Sequence, residues 1–548
     1  MMTLMIATMM GSMAAVGVGQ PDVVVADFEG ADYGKWVAAG EAFGAGPARG
    51  TLPGQMAVTG FEGKGLVDSF LGGDGKVGTL TSPEFEISRK AMTFLIGGGG
   101  FEGKTCMNLL VDGKVVRTAT GANVNPGGSE ALELVAWDVA EWAGKTGHLE
   151  IVDAATGGWG HVNVDQIVLT DAPPPAIAIG PTRAITVEKR YLNLPVRRDA
   201  PVRRVGVLVG GKVQREFEIR LSDKAPDFWV FLDLTAFKGT EIVVRADRLP
   251  AGGAALGAIE QADEIRAVGV PLYKEALRPQ FHFSSRRGWL NDPNGLVYSG
   301  GEYHMYYQHN PYGWEWGNMH WGHAVSADLV HWKELPVAVY PHAFGDWAYS
   351  GSAVVDAANS GGFKTGAEDV IVAAYTSTGR GECIVYSNDR GRTFTEFAGN
   401  PVVKHEGRDP RLLWHEPTKS CVMAVYDEKP GEKVERDRQG ISFYTSTDLK
   451  VWKFRSRISG FYECPDLFGL PVDGGKGGSR WVLTAASSEY IVGAFDGEKF
   501  TPESMKLPGN RSDRFYAAQT FSQTPDGRRI QIGWARIDAP GMPFNQMM

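Results

Sequence analysis

The segment SADLVHW at positions 326–332 returns twice along the chain, as SNDRGRTF at 387–394 and as STDLKVW at 446–452. The serines that begin these segments are 61 and 59 residues apart. In each segment a serine and an aspartate can accept hydrogen bonds from the backbone of a turn, and the following aromatic residue can hold that turn against the next strand. A unit that recurs this evenly is typical of radial or solenoid β-sheet repeats.

The middle copy resembles the Asp-box of β-propellers. Residues 273–548 offer room for about five units of this size. The sequence therefore predicts an all-β fold in which residues 273–548 form a five-bladed β-propeller. Three unrelated S-x-D turns are the alternative interpretation.

The composition agrees with many short strands and excludes some partners. Gly accounts for 71 of the 548 residues and Pro for another 30, which indicates many tight turns. The chain has 55 Lys and Arg against 64 Asp and Glu, a net charge of −9, without a basic run, so we expect no nucleic-acid partner. The four cysteines are too few for a disulfide framework and lack metal-binding C-x-x-C spacing; they are Cys106, Cys383, Cys421 and Cys464.

Residues 1–20 contain no charged side chain and end in small residues. This is typical of a secretory signal, although the basic start of such signals is missing. No later stretch reaches the roughly 18 apolar residues of a membrane span. We therefore expect a secreted or periplasmic protein without a membrane span, and the sequence leaves the oligomeric state open.

Two β-rich modules are predicted ahead of the propeller. Residues 21–172 contain short strands broken by Gly, among them an alternating stretch at 161–167 that is typical of a half-buried strand. This region resembles the jelly-roll, galactose-binding-like modules of secreted glycosidases, so a carbohydrate-binding module and a β-sandwich spacer are both open. A Pro-rich linker at 173–178 leads to a second small β-sandwich at 179–272.

Three acidic motifs carry the candidate chemistry, and each falls in a different predicted blade. In WLNDPNG (289–295), Pro293 favours an extended Asp292, and the Asn-Gly pair is expected to turn the chain into the next strand. The amides and the Trp beside Asp292 suit the hydroxyl groups and C–H faces of a sugar. A plain surface turn is the alternative.

The second motif is GRDP (407–410), in which the charge of Arg408 is expected to lower the pKa of Asp409 and keep it ionised. The third is FYECPDLF (461–468), in which apolar neighbours are expected to raise the pKa of Glu463 towards that of a general acid. Taken singly, an ion-paired turn or a Glu that extends from an apolar strand would explain either motif.

Together and in this order, the three motifs resemble those of glycoside hydrolase family 32, the β-fructosidases. Matching stretches flank them, namely 301–338, YSGSAVVD (349–356), FYAAQTFS (515–522) and IQIGWAR (530–536). The resemblance covers residues 278–548 and implies a five-bladed propeller, the same number of blades as the repeats predict.

The resemblance implies Asp292 as the nucleophile, Glu463 as the general acid/base and Asp409 as the transition-state stabiliser. It implies substrate contacts at Asn291, Gln308, Trp316, Trp321, Ser350, Arg408 and Trp534. We expect no cofactor and no metal. Metal binding by His320 and His323, with His331, is disfavoured because residues i and i+3 of a strand point to opposite faces.

We therefore expect a retaining hydrolase that releases fructose from β-fructofuranosides, exo-acting on levan or inulin-type fructans. A sucrose invertase, a fructosyltransferase and, from another class, a non-catalytic carbohydrate-binding propeller are the alternatives. Retention requires carboxyl groups about 5–5.5 Å apart, whereas inversion needs about 6.5–9.5 Å. Most family members carry a C-terminal β-sandwich, for which we expect no room after residues 540–548.

Overall fold

The structure, a computed structural model, describes residues 21–124, 129–172, 177–250, 252–267, 269–512 and 514–536. It is all-β, and short strands dominate it. The chain divides into two compact units, residues 1–177 and residues 178–548. No helix in the described ranges has the length and apolar character needed to cross a membrane. The signal-like residues 1–20 and the segment 540–548 lie outside the described residues.

The first unit contains two antiparallel sheets. Its strands are β1 (Val23–Ala26), β2 (Val37–Gly40), β3 (Val67–Asp68), β4 (Gly78–Thr81), β5 (Phe85–Glu86), β6 (Ala91–Gly98), β7 (Thr105–Val111), β8 (Lys114–Thr120), β9 (Glu133–Asp138), β10 (Thr146–Asp153) and β11 (Val162–Thr170). One sheet has the order β1-β11-β6-β9 with β3 beside β11, and the other has the order β2-β4-β10-β7-β8 with β5 beside β10. Alternate apolar side chains of both sheets share one core.

The alternating stretch predicted at 161–167 forms most of β11. Its period of two is interrupted, because Val162 and Val164 enter the core and the next core residue is Ile167. The register with β6 shifts between Asp165 and Val168. A β-bulge inserts one extra residue at this point, so the side chains that follow change face.

The second unit begins with two small sheets that share one core, a pair that we call the small sandwich. Its elements are β12 (Ile177–Ile179), β13 (Thr182–Thr186), β14 (Tyr191–Val196), β15 (Arg203–Val209), β16 (Lys212–Ile219), β17 (Phe228–Asp233), β18 (Glu241–Ala246), β19 (Arg248–Pro250), α1 (Ala255–Ala258) and β20 (Glu260–Ala262). The sheet β13-β18-β15-β16 and the sheet β17-β14-β20 bury one apolar core, and β12 pairs with β19. Strand β16 lies at the edge of its sheet.

Five consecutive antiparallel sheets follow the small sandwich. Their elements are β21 (Trp289–Ser299), β22 (Glu302–Asn310), β23 (His320–Ser326), β24 (Lys333–Val339), β25 (Ala348–Asp356), β26 (Val370–Ser377), β27 (Gly381–Ser387), β28 (Thr395–Glu396), β29 (Gly407–His415), β30 (Ser420–Glu428), α2 (Glu435–Arg438), β31 (Gln439–Ser446), β32 (Lys453–Ser459), β33 (Asp466–Pro471), β34 (Ser479–Thr484), β35 (Tyr490–Phe495), β36 (Phe500–Pro502), β37 (Phe515–Thr520) and β38 (Gln531–Ala535). Each of the first four sheets takes four strands in chain order, and the fifth contains β37 and β38 within the described residues.

The first strands of these five sheets contact one another in a closed ring. Strand β21 lies against β25, β25 against β29, β29 against β33, β33 against β37, and β37 against β21. Hydrogen bonds join neighbouring sheets at this ring: the hydroxyl of Ser352 donates to the carbonyl of Pro410 at 2.8 Å, and the amide of Gln519 donates to the carbonyl of Gly351 at 2.9 Å. The ring fixes where residues of separate sheets can meet.

The three repeated S-x-D segments form turns at the ends of β23, β27 and β31, and the middle turn is one residue longer, because the hydroxyl oxygen of Ser387 accepts the N–H of Gly391, four residues on. In the first copy, the hydroxyl oxygen of Ser326 accepts the N–H of Leu329 at 2.8 Å, and Asp328 accepts the N–H of His331 at 2.8 Å. The indole N–H of Trp332 donates to the carbonyl of Leu329 at 3.1 Å. Ser446, Asp448 and Trp452 repeat the turn and its indole bond.

Candidate active site

The WLNDPNG segment lies inside β21 and does not precede a strand, so the Asn-Gly turn predicted there is wrong. The pairing of β21 with β22 shifts register on both sides of Pro293 and Asn294. Gly295 has a φ of 53°, and a β-carbon at this position would meet a neighbouring aromatic ring. The Asn-Gly pair therefore accommodates a bulge, and the hairpin turn to β22 is made by residues 300–301.

Asp292 projects from this irregular part of β21 towards the second sheet. Its Oδ2 accepts a hydrogen bond from the hydroxyl of Ser350, on β25, at 2.6 Å. Burial raises the pKa of Asp292, and the negative charge of Glu463 raises it further. Hydrogen bonds from Ser350, Asn291 and Cys464 lower it. These donors stabilise the charged form of a carboxyl group that its surroundings otherwise disfavour.

Asp409 lies on β29 with only 4% of its surface exposed. Its φ of 68° is in the left-handed region. Two backbone N–H groups fix it there: its own N–H donates to Oγ1 of Thr376 at 2.9 Å, and the N–H of Cys464 donates to its Oδ2 at 3.0 Å. A left-handed residue held by such contacts is a form of backbone strain that proteins keep at functional sites.

Arg408 does lower the pKa of Asp409, but the prediction that it keeps Asp409 ionised is wrong, because the pKa of Asp409 is raised overall. Burial raises the pKa of Asp409, the charges of Glu463 and Asp292 raise it further, and Arg408 opposes them in part. The geometry explains this result. A guanidinium nitrogen of Arg408 lies 2.8 Å from Oε2 of Glu463, but the approach to Oδ2 of Asp409 is 3.8 Å. Arg408 pairs with a residue of another sheet more closely than with its neighbour in the chain.

Glu463 lies in the turn just before β33, next to Cys464, and both residues have positive φ, at 37° and 43°. Two neighbours hold its carboxyl group from opposite ends. Arg408 donates to Oε2 through Nη2 at 2.8 Å, and the hydroxyl of Tyr516, on β37, donates to Oε1. The carboxyl group therefore has a fixed orientation, imposed by the third and fifth sheets.

The thiol of Cys464 connects the three motifs. Its Sγ lies 3.5 Å from Oδ2 of Asp292 and 3.4 Å from Oδ2 of Asp409. The charge of Glu463 also acts on this thiol, so the three carboxyl groups meet around one buried side chain. Motifs that are widely separated along the chain converge where the first strands form their ring.

Three of the predicted substrate contacts lie directly beside these carboxyl groups: Asn291, Ser350 and Arg408. The side-chain oxygen of Asn291 accepts the indole N–H of Trp289 at 2.8 Å, which orients its amide. Gln308 is buried, and its Nε2 donates to the carbonyl of Ala348 at 2.9 Å. It supports the start of the strand that carries Ser350.

The predicted tryptophans divide between surface and core. Trp316 is half exposed and lies edge-on to Trp347, with ring centroids 5.1 Å apart, and beside Tyr349. Trp321 has 0% of its surface exposed and donates its indole N–H to the carbonyl of Tyr349 at 2.9 Å. The structure therefore places Trp321 in the core beneath the site, away from the surface that a sugar could reach.

Trp534 lies beside two residues that touch the site. Its ring is 5.9 Å from that of Trp289 and 6.2 Å from that of Tyr516. It also lines a cavity of about 530 Å³ between the first and fifth sheets, together with Phe281 and Trp332. In this structure Trp534 supports residues that contact Asn291 and Glu463.

Sequence reasoning did not single out several residues that complete the site. Tyr516, Tyr462, Thr376, Trp347 and Cys464 all touch a predicted site residue. Tyr516, Trp347 and Cys464 lie in or beside stretches that resemble the family, so the sequence held a signal for them. Thr376 has no such signal, because it reaches Asp409 only through sheet packing.

The histidines are occupied by other contacts. His320 bonds the carbonyl of Asn318, whereas His323 lies 3.2 Å from His304 through their ring nitrogens. Burial lowers the pKa of His309 to about 4 and that of His320 to about 3. In the part of the chain that the structure describes, no group of three or more His, Cys, Asp and Glu is arranged to hold a metal ion.

The site brings together three carboxyl groups. Asp292 accepts a hydrogen bond from a hydroxyl group, Glu463 is held by a guanidinium and a phenol, and Asp409 is buried. Two carboxyl groups on opposite sides of a bond can serve as nucleophile and acid in glycoside cleavage. The amide of Asn291 beside them can bond the hydroxyl groups of a sugar, and the half-exposed Trp316, which lies against Tyr349, is a ring type that contacts sugars. The arrangement can therefore support acid/base and nucleophilic chemistry on a carbohydrate.

Residues 282–542 match the family model described as the glycosyl hydrolases family 32 N-terminal domain. The matched range contains Asp292, Asp409 and Glu463. This part of the chain is therefore similar to glycoside hydrolase family 32.

Named relatives match the same half. A levanase of Bacillus subtilis (strain 168) is 45% identical over 291 residues, which cover 48% of this chain and 41% of the levanase. An extracellular exo-inulinase of Aspergillus niger is 35% identical over 319 residues, which cover 48% of this chain and 58% of the inulinase. The solved exo-inulinase of Aspergillus awamori aligns with a TM-score of 0.44 and 32% identity, covering 50% of this chain and 63% of that one. The chain spans about half the length of the curated relatives it matches.

Proposed function

We propose that the protein is a retaining β-fructosidase that releases fructose from the ends of levan or inulin-type fructans. The observation that carries this proposal is the convergence of Asp292, Asp409 and Glu463 around the thiol of Cys464. The match of residues 282–542 to the family model and the names of the relatives, levanase and exo-inulinase, support fructans as the substrate class.

In the proposed first step, Asp292 attacks the anomeric carbon of a fructosyl unit while Glu463 protonates the leaving oxygen. Glu463 then becomes a carboxylate, which Arg408 and Tyr516 stabilise through the two bonds described above. The hydroxyl of Ser350 keeps Asp292 oriented and favours its ionised form. Asp409, in its ionised form, attracts the positive charge that develops on the sugar in the transition state.

In the second step, Glu463 acts as a base on water, and the fructosyl unit leaves Asp292 with its configuration retained. This mechanism predicts a separation of about 5–5.5 Å between the two carboxyl groups, and an inverting mechanism about 6.5–9.5 Å. Asp409, buried and fixed by backbone donors, is proposed to bind the hydroxyl groups of the fructosyl ring.

We propose a five-bladed propeller for residues 273–548, supported by the five consecutive sheets and their ring of first strands. The two preceding modules, residues 21–172 and 179–272, with a linker at 173–178, are proposed as β-sandwiches, supported by the paired sheets of each. Export through residues 1–20 is proposed from their composition, and the name of the extracellular inulinase supports it.

Fructose release from levan, inulin and sucrose, measured side by side, tests the substrate class. Preference for the polymers supports the fructan proposal. Preference for sucrose favours an invertase, a reading that Invertase 1 of Saccharomyces cerevisiae, 36% identical over 291 residues, also supports. Oligosaccharide products longer than the substrate would indicate a fructosyltransferase.

Two variants test the chemistry. Asp292→Asn and Glu463→Gln should each lower kcat by about a thousandfold or more while sugar binding survives. Glu498→Gln, a matched change at an exposed carboxylate paired with Arg455, should leave kcat unchanged. Hydrolysis that persists in Asp292→Asn or Glu463→Gln would overturn the assignment, and sugar binding without hydrolysis by the unchanged protein would indicate a binding propeller.

A further inference from the structure

The segment between β22 and β23, residues 311–319, carries Trp316 but packs against the small sandwich. Its Tyr312 is buried and stacks on Phe217 of β16 with ring centroids 3.6 Å apart. Its Trp314 lies edge-on to Phe228 of β17, 5.7 Å away. Two aromatic side chains of this segment therefore complete the core of a domain that contributes no residue to the carboxyl cluster.

Asn318 fixes the end of the same segment by pairing with a strand edge. Its side-chain oxygen accepts the N–H of Glu218 at 3.0 Å, and its Nδ2 donates to the carbonyl of Glu218 at 2.9 Å. Because Glu218 lies on β16, the edge strand, the amide takes the place that a neighbouring strand would occupy. Asn318 is 8% exposed and has a φ of 41°, a conformation that Asn tolerates better than most residues.

Trp316 lies between these two attachments and contacts Tyr349, the residue before Ser350. It forms an aromatic group with Trp347 and Tyr349. Tyr349 precedes Ser350, the donor to Asp292. Burial raises the pKa of Tyr349, the charge of Arg408 lowers it, and the charges of Asp409 and Glu463 raise it.

The small sandwich also contacts the chain segment that leads into Trp347, a member of this aromatic group. The guanidinium of Arg215 lies 3.7 Å from the ring centre of Tyr340, and that of Arg204 lies 3.9 Å from the ring centre of Phe344. Both aromatic residues belong to the segment that leads into Trp347. The sandwich thus contacts both chain segments that bring tryptophans to the rim.

We propose that the small sandwich is a positioning domain for the substrate site, and that Asn318 is the positioning residue that holds Trp316 at its rim. This inference rests on the proposed function for its kinetic consequence. Without the pairing to Glu218, the segment loses its attachment next to Trp316, and the ring samples positions in which it no longer faces Trp347. Substrate then binds more weakly, while the carboxyl groups keep their geometry.

The test compares Asn318→Gly, Trp316→Ala and the double variant with the unchanged protein. Glycine tolerates the positive φ, so the change removes the two side-chain bonds to Glu218, and a third from Nδ2 to Oδ1 of Asn310 at 3.3 Å, without adding backbone strain. Asn359→Gly is the matched control, since Asn359 also has a positive φ, at 52°, in the exposed turn after β25. We expect Asn318→Gly to raise KM for fructan by about threefold to tenfold with kcat within about twofold, and Asn359→Gly to change neither.

The double variant separates positioning from general structural damage. If Asn318 acts through Trp316, its removal adds little to Trp316→Ala, because the group that it positions is already gone. If the increases in KM of the two single variants multiply in the double variant, the two residues act independently and the proposal is overturned. So would a fall in kcat without a rise in KM.

A second measurement does not depend on the substrate. Hydrogen exchange followed by mass spectrometry should show faster exchange of residues 311–319 in Asn318→Gly and unchanged exchange of β33 and β34. Unchanged exchange in 311–319 would overturn the positioning role. If the unchanged protein hydrolyses no fructoside but exchange in 311–319 still rises in Asn318→Gly, the proposed function fails and the attachment of the segment stands.

Discussion

The thiol of Cys464 lies 3.4 Å from Oδ2 of Asp409, the same oxygen that accepts the backbone N–H of Cys464 at 3.0 Å. Both residues have a left-handed backbone, with φ values of 68° at Asp409 and 43° at Cys464. A small side chain is required between the carboxyl groups, and the backbone must stay in a costly conformation to present its N–H. The carboxyl cluster therefore depends on the size and backbone geometry of residue 464 as well as on the acids.

Substitution at position 464 should separate size from hydrogen bonding. Cys464→Ser keeps a small side chain with a donor, and we expect kcat/KM to stay within about tenfold of the unchanged protein. Cys464→Val places a β-branched side chain at a φ that such residues avoid, and it adds volume between two carboxyl groups. We expect a loss of about a hundredfold or more, measured as kcat/KM on levan or inulin. Equal activity of the two variants would contradict this account.

Ser350→Ala should move the acid limb of the pH profile. The hydroxyl of Ser350 stabilises the ionised form of Asp292 and so lowers its pKa. Its removal raises that pKa, and Asp292 then becomes ionised only at higher pH. We expect the acid limb of kcat/KM to shift upwards by about one pH unit. Ser360→Ala, in the turn after β25, serves as the control and should leave the limb in place; a downward shift in Ser350→Ala would refute the reasoning.

Tyr516→Phe removes the phenol that donates to Oε1 of Glu463. The carboxylate that forms when Glu463 has protonated the leaving group then keeps only the two bonds from Arg408, through Nε at 3.2 Å and Nη2 at 2.8 Å. We expect kcat to fall by about tenfold with an unchanged melting temperature, because the ring still packs against Trp534. The measurement is steady-state kinetics beside thermal unfolding. An unchanged kcat would show that this bond plays no part in the reaction.

The first unit should lose stability as the pH rises above neutral. His161 is 2% exposed and bonds Asp74 and Glu130 through its two ring nitrogens. Burial acts to lower its pKa, but the bonds and charges of Glu130 and Asp74 raise it to about 9. A raised histidine pKa stabilises the folded state fully at pH values below the pKa of histidine in the unfolded chain, about 6.5. This contribution is lost as the pH rises through 9.

The contribution to the free energy of unfolding that is lost over this pH range is about 3 kcal/mol. Thermal unfolding measured between pH 6 and pH 10 should therefore show that the transition temperature of this unit falls as the pH rises. His161→Gln should be less stable at pH 6 and should lose most of the dependence between pH 6.5 and 9. A transition temperature that does not change with pH in the unchanged protein would contradict the assignment. So would the same pH dependence in His161→Gln.

Some features could be predicted because they are local. The S-x-D segments specify their turns with their own hydroxyl and carboxyl groups, so Ser326 and Asp328 bond as the sequence indicates. Family-like motifs identified the three acids. The prediction that Asp409 stays ionised failed for a physical reason: burial and the charges of Glu463 and Asp292 outweigh that of Arg408, and the fold brings the guanidinium closer to Glu463.

The sequence by itself determined the β-strand character, the repeated turns and the identity of the acidic residues, because hydrogen bonds within a turn and side-chain chemistry act over a few neighbouring residues. Only the tertiary structure decided which of these groups touch. It buried Trp321, exposed Trp316, brought Tyr516 to Glu463 and attached Asn318 to the edge of the small sandwich. Burial and the direction of a charged side chain depend on how separate sheets pack, and that packing is set by contacts between residues far apart along the chain.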